Sequence, residues 1–282
     1  MKQILSRITP YVLRFTHHVS RITHHAPLVA VLLVALLAAA PLWGPGMVNT
    51  RGGGDSPFLL VRLQQLVVNL RAGAVPARWM PDGAYGLGYP FFSYYAALPY
   101  YLAGLLVLGG IGLLTALKIV QTLGLILAAL AMYGWARGLF ESHPQRNWAA
   151  ALAAVAYTVA PFHLVNVYVR GDSLSEFYAF VFYPLILWGI DGLVARRSRN
   201  APLLVAALAL AYAGLLLSHN LSAFIFSPFA FLYLLWRASP SRPRALRGDA
   251  RPGAPRPLPA SGPTCRSATR RIAPDRSAIC CV

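Results

Sequence analysis

Negative charge and lysine are scarce in this chain: its 282 residues include 8 Asp and Glu and 2 Lys, against 23 Arg. Charged residues make up 12% of it and hydrophobic ones 57%, where an ordinary soluble domain carries about 25% charge spread along its length. Most soluble classes are therefore excluded, and so is disorder over most of the chain, because the apolar content is too high. Cysteine is confined to Cys265, Cys280 and Cys281 near the C-terminus, so no disulfide framework or Cys-based metal site organises what precedes them. The formal net charge of +17 raises the question of nucleic acid. Here, however, basic residues flank apolar windows, as the positive-inside rule requires, and no basic patch interleaved with stacking aromatics stands out. Nucleic acid is set aside as a partner.

What the chain does have is long apolar windows. Residues 26–43, 119–136, 148–165, 177–195, 201–217 and 221–236 are uncharged or nearly so, and each reaches bilayer length by itself or with its flanks. A seventh window, 96–114, is apolar but is weakened by Gly109, Gly110 and Gly112 and preceded by the interfacial-looking Tyr94, Tyr95, Tyr100 and Tyr101. Parity separates the two readings of it. Lys2, Arg7, Arg14 and Arg21 at the start, and Arg196, Arg197 and Arg199 after the fourth clear window, belong on the cytoplasmic side. An even number of crossings must lie between them, so 96–114 is expected to lie in the interface or to re-enter. The expectation is an all-α, polytopic membrane protein with about six spans plus interfacial helices, in a bacterial inner membrane. It places a loop at 44–97, the segment 163–176 and the turn 218–220 on one extracytoplasmic face.

Residues 1–25 contain an amphipathic stretch, with Thr9 as a cap, Pro10 at the first helical position, and Arg14, His18, Arg21 and His25 on one face. This suits an anchor on the anionic leaflet; a signal peptide is the competing reading. Its two His-His pairs stand two helical turns apart, too far to share one metal ion.

The loop after the first window contains one helical pattern. Ser56 is a good cap, Pro57 a good first residue, and Leu59, Leu63, Leu66 and Leu70 form an apolar stripe. Because Ser56 supplies the cap, Asp55 is left as a carboxylate at a helix start, where the dipole holds it ionised and fit to serve as a base or metal ligand. The plainer alternative is a second capping residue. Further along, Arg170 and Gly171 precede Asp172 and Glu176, two acids spaced to share one helical face. They suit a metal or an acid pair, or else a capping box in which Asp172 or Ser173 caps and Glu176 reaches back. His219 and Asn220 form a polar step between two windows.

At this point the order Gly54-Asp55-Ser56-Pro57, surface helix, Arg78-Trp79-x-Pro81-Asp82, Gly86-x-Gly88-Tyr89-Pro90 and a Tyr-rich apolar segment resembles the bacterial membrane proteins labelled "6-pyruvoyl-tetrahydropterin synthase-related". More distantly it is similar to the N-terminal half of GT-C glycosyltransferases. The resemblance runs from about Leu28 to Trp236 and includes APFHLVNVYVRGDSLSEF and LLLSHNLSAFIFSPF. No arrangement matching the His-bound zinc of soluble pterin synthases is present. The GT-C likeness implies a polyprenyl-phosphate sugar presented from the membrane, a carboxylate that activates the acceptor, and a lipid phosphate as leaving group. On this chain it implies Asp55 as general base or metal-binding carboxylate, and Arg78 and Arg170 as donors to the leaving phosphate, whose plainer alternative is contact with lipid headgroups. Trp79, Tyr85 and Tyr89 would stack on sugar or line an isoprenoid groove, unless they only form an interfacial belt. His219 and Asn220 would bind substrate. A non-catalytic scaffold or a transporter is the alternative, disfavoured because the windows hold no ionisable group at mid-membrane. Residues 238–282, with nine Arg and many Pro, are expected to be disordered. They also suggest a shifted reading frame that cuts the enzyme short.

Overall fold

The computed structural model describes residues 25–47, 56–95, 97–170, 173–195 and 201–239. Among them the fold is all-helical, without strands. The helices are α1 (His25–Trp43), α2 (Ser56–Arg71), α3 (Leu98–Leu108), α4 (Leu113–Leu139), α5 (Arg146–Thr158), α6 (Pro161–Val169), α7 (Leu174–Val194), α8 (Ala201–Ser218) and α9 (Asn220–Ala238). Five of them, α1, α4, α7, α8 and α9, are long and apolar enough to cross a membrane, and α5 with α6 makes a sixth if that bent pair is one span. This is the make-up of a multi-pass membrane protein. The helix inside 96–114 has 11 residues and is about 16 Å long, roughly half a hydrocarbon core.

Hydropathy reads 148–165 as one continuous window, but the structure bends it by 43° between α5 and α6. Pro161 is the cause. It lacks the N–H that would continue the ladder and forces Ala160 out of the helical region, to φ −52° and ψ 134°. Beyond it, Arg170 N–H reaches back five residues to the Val165 carbonyl at 2.8 Å, so 165–169 is a π-helical turn. Such turns are wider than α and recur at functional sites.

The helices α4 and α7 form the centre, with α5 against α4 and the α8–α9 hairpin against α7. Their close approach depends on Gly124, where a Cβ would stand 2.5 Å from the Phe177 ring. The amphipathic α2 lies across one end of the bundle. Leu59, Leu63 and Leu66 are fully buried there with Tyr100 of α3 and Leu117 and Val120 of α4. Each such leucine contributes about 1.5–3 kcal/mol relative to exposure to water. The α2 end is fastened by Lys118, which donates to the Gly44 carbonyl at 2.7 Å, and by Trp43 Nε1, which donates to Thr122 Oγ1 at 3.1 Å. A second polar knot, around Asp191, joins Trp135 of α4 with Tyr233 and Arg237 of α9. Lys118 and Trp135 stand about 26 Å apart along α4, so the two knots mark opposite ends.

Candidate functional site at the α2 end

Eight polar or charged residues among those described are buried, and six of them, His163, Asn166, Ser173, Ser175, Ser218 and Ser222, lie on the adjoining ends of α6, α7, α8 and α9. Apart from Gln65, Thr158 and the Asp191 knot at the far end, the other buried side chains are apolar, so this concentration marks the candidate site. His163 and Asn166 of α6 and Arg170 just after it follow at three and four residues, and Arg170 bonds Asn166 across the π-helical turn. His163 and Asn166 are buried, whereas the Arg170 side chain is 49% exposed. Arg170 donates to Asn166 Oδ1 at 3.0 Å and to Glu176 Oε2 at 2.7 Å. His163 stacks on Phe180 with ring centroids 4.2 Å apart and meets the Tyr157 ring edge-on at 4.3 Å. Three buried atoms here, His163 Nδ1, Asn166 Nδ2 and Ser218 Oγ, have no hydrogen-bond partner. An unsatisfied buried polar atom costs about 1–3 kcal/mol, so the fold retains hydrogen-bonding capacity that a polar ligand would use.

The capping box expected at the start of α7 does not form through Ser173. Ser173 occupies the N-cap position without a side-chain cap bond, and the Glu176 carboxylate that would complete the box is bonded to Arg170. Glu176 thus lies beside a cation, and the charge of Arg170 is offset within the cluster. Asp55 and Asp172 lie outside the described residues.

His219 and Asn220 open α9. His219 is its N-cap, accepting from the Ser222 backbone N–H at 3.2 Å, with Ser222 Oγ 2.7 Å from the same Nδ1. Burial holds its pKa below the usual imidazole value, with Glu176 raising it and Arg170 lowering it further, so the ring is neutral near pH 7. That coupling brings α6, α7 and the α8–α9 turn to one place. The first loop joins them through Asn220, whose amide donates to the Tyr94 carbonyl at 3.4 Å.

The loop itself is built on α2. Gln65, buried on α2, donates to Asp82 Oδ2 at 2.7 Å and accepts from the Asp82 backbone N–H at 2.9 Å. Asn69 donates to the Trp79 carbonyl at 2.8 Å, and Met80 and Tyr89 exchange backbone bonds of 2.7 and 3.0 Å. Asp82 of the Arg-Trp-x-Pro-Asp run therefore serves to shape the loop. Tyr85 is fully exposed, while Trp79 and Tyr89 are about half exposed. Arg78 is also exposed and has no carboxylate partner among the described residues. The Arg62 guanidinium lies against the rings of Phe91, Tyr95 and Phe58 at 4.8, 5.7 and 5.8 Å, a cation–π cluster beside Tyr94.

Gly88 closes this loop at φ +86°, and a Cβ there would stand 2.3 Å from the indole Nε1 of Trp79. Gly88→Ala is expected to displace Trp79 and to cost about 1–3 kcal/mol locally. The check is faster amide hydrogen exchange at 80–89 with exchange in α4 and α7 unchanged; unaltered exchange in the loop would refute it.

Among the described residues no group of three or more His, Cys, Asp or Glu is placed to hold a metal. Sequence reasoning missed His163, Asn166 and Ser222. The spacing of His163, Asn166 and Arg170 is a legible signal, but it sits inside an apolar window where hydropathy averaging hides it.

The chain is similar to an uncharacterized protein of Lactococcus lactis subsp. cremoris, with 26% identity over 208 residues. The match covers 74% of this chain and 33% of the relative, so the chain spans about a third of the length of the relative it matches. No family model and no solved structure matches it.

Proposed function

We propose that the protein is a GT-C-like membrane glycosyltransferase, or the part of one that carries the outward-facing site, taking sugar from a polyprenyl-phosphate donor at the extracytoplasmic face of a bacterial inner membrane. One observation carries this reading: six of the eight buried polar residues among those described gather at the α2 end, with the Arg170–Glu176 ion pair at their exposed side and a loop rich in exposed aromatics beside them. A pocket that binds a hydroxylated, membrane-borne substrate needs this combination, since polar groups must orient the ligand while apolar and aromatic walls exclude water. In this reading α5 and α6 form one broken span and α3 lies in the interface, giving six crossings. Asp55, one residue before α2, is the base or metal-binding carboxylate, and Arg78, which has no carboxylate partner among the described residues, faces the leaving phosphate. Asp191, near the end of α7, is engaged by Trp135, Tyr233 and Arg237, so it lacks the freedom that an ion-coupled transporter requires.

Topology is tested with single cysteines at Leu87, Asn220 and Ser142 after the tail cysteines are replaced; all three positions are exposed. Labelling by a membrane-impermeant maleimide is expected at 87 and 220 and not at 142 in intact cells. Protection of 220 would place the α8–α9 turn inside and dismantle the site. Transfer is tested by release of polyprenyl phosphate from polyprenyl-phosphate sugars in vesicles, with vesicles lacking the protein as reference. No release above that reference from any donor would refute the assignment.

A further inference from the structure

The geometry points to His219 as the fixed, neutral hydrogen-bond donor of a sugar-hydroxyl subsite: its Nδ1 is held by the α9 cap, and its Nε2–H is left to donate to a ring hydroxyl of the ligand. The inference rests on the functional reading above and specifies which part of the substrate the cluster receives.

The tautomer follows from the cap. A backbone N–H can only donate, so the Ser222 N–H at 3.2 Å requires an unprotonated Nδ1, and a neutral imidazole must then carry its proton on Nε2. With Nδ1 unprotonated, Ser222 Oγ at 2.7 Å can only donate to it. Nε2 has no hydrogen-bond partner among the described residues, and the ring is only half-buried. A donor of fixed direction therefore remains unused beside Glu176 and Arg170.

The charge balance of the cluster selects the ligand. A phosphate ester brings a full negative charge and is best held by cations that nothing else neutralises. Here Arg170 is offset by Glu176 at 2.7 Å, and the donors added to the pair, His219 and the Asn220 amide, are neutral. A sugar hydroxyl both donates and accepts, so it matches a carboxylate acceptor facing neutral donors. The cluster is complementary to a sugar ring, and the phosphate of a lipid-linked donor lies elsewhere.

The test uses the full chain in phosphatidylcholine nanodiscs, with 15N-labelled histidine. His219→Asn assigns the His219 signals by their loss, and because Asn is a strong N-cap it retains the melting temperature. Methyl glycosides of glucose, mannose and galactose are titrated, and inorganic phosphate in parallel. The His219 Nε2–H resonance is expected to move with at least one glycoside and to ignore phosphate, and His219→Asn is expected to weaken binding of that glycoside about tenfold. A response to phosphate alone, no response to any probe, or undiminished glycoside binding by His219→Asn would overturn the inference. Glycoside binding as expected without sugar transfer would leave His219 in this role and remove the transferase reading.

Discussion

Asp191→Ala is expected to destabilise the bundle by about 3–5 kcal/mol, the cost of removing one partner from a mostly buried ion pair. Asp191 sits near the end of α7 with a side chain 13% exposed, paired with Arg237 of α9. The same carboxylate accepts from Trp135 Nε1 of α4 at 3.0 Å and from the Tyr233 hydroxyl of α9 at 2.8 and 2.9 Å. Alanine leaves a guanidinium, a phenol and an indole N–H without their acceptor, and it unties three helices at once. Asp191→Asn retains the shape and one acceptor oxygen, so a smaller loss of about 1–3 kcal/mol is expected. Replacing both Asp191 and Arg237 with leucine is expected to recover most of the loss, because no charge is then left buried alone. Unfolding by SDS titration in mixed micelles measures all three variants. Wild-type unfolding in Asp191→Ala would show that the knot is held together by its neighbours and contributes nothing itself.

The parts of this fold legible in the sequence are those fixed by composition alone. The helices α1, α4, α7, α8 and α9 stand out because charge is missing over bilayer length, and α2 because Leu59, Leu63 and Leu66 keep one face. The bend at Pro161 was not legible from hydropathy, which averages over the window and does not register a missing N–H. His163 and Asn166 were lost for a related reason: their meaning depends on facing inward, which the π-helical turn and the bend decide together. Arg170 reads as a free cation in the sequence because Glu176 lies six residues away across a helix start. Folding joins the two and changes which ligand Arg170 suits. Trp79 and Tyr89 read as members of an interfacial belt. In the structure Trp79 instead covers Gly88 and Tyr89 pairs with Met80, so part of that aromatic signal is loop architecture.

Asp55→Asn is expected to slow sugar transfer by about a hundredfold to ten-thousandfold, the range for loss of a positioned general base. The substitution separates chemistry from scaffolding, because Asn caps a helix start as well as Asp does. A capping role alone predicts that Asp55→Asn inserts, melts and turns over like the wild type. A catalytic role predicts unchanged insertion and melting with turnover nearly abolished. Glu176→Gln is the informative comparison: Glu176 is a carboxylate held at 2.7 Å from Arg170, suited to holding hydroxyls. Its loss is expected to raise KM more than it lowers kcat, whereas Asp55→Asn lowers kcat. The two chemical roles open to Asp55 part on chelation. A metal-binding carboxylate gives a wild-type enzyme silenced by EDTA and restored by a divalent cation. A base acting directly gives an enzyme indifferent to EDTA. Turnover within threefold of wild type in Asp55→Asn, at any pH and with or without metal, would move the chemistry away from the start of α2.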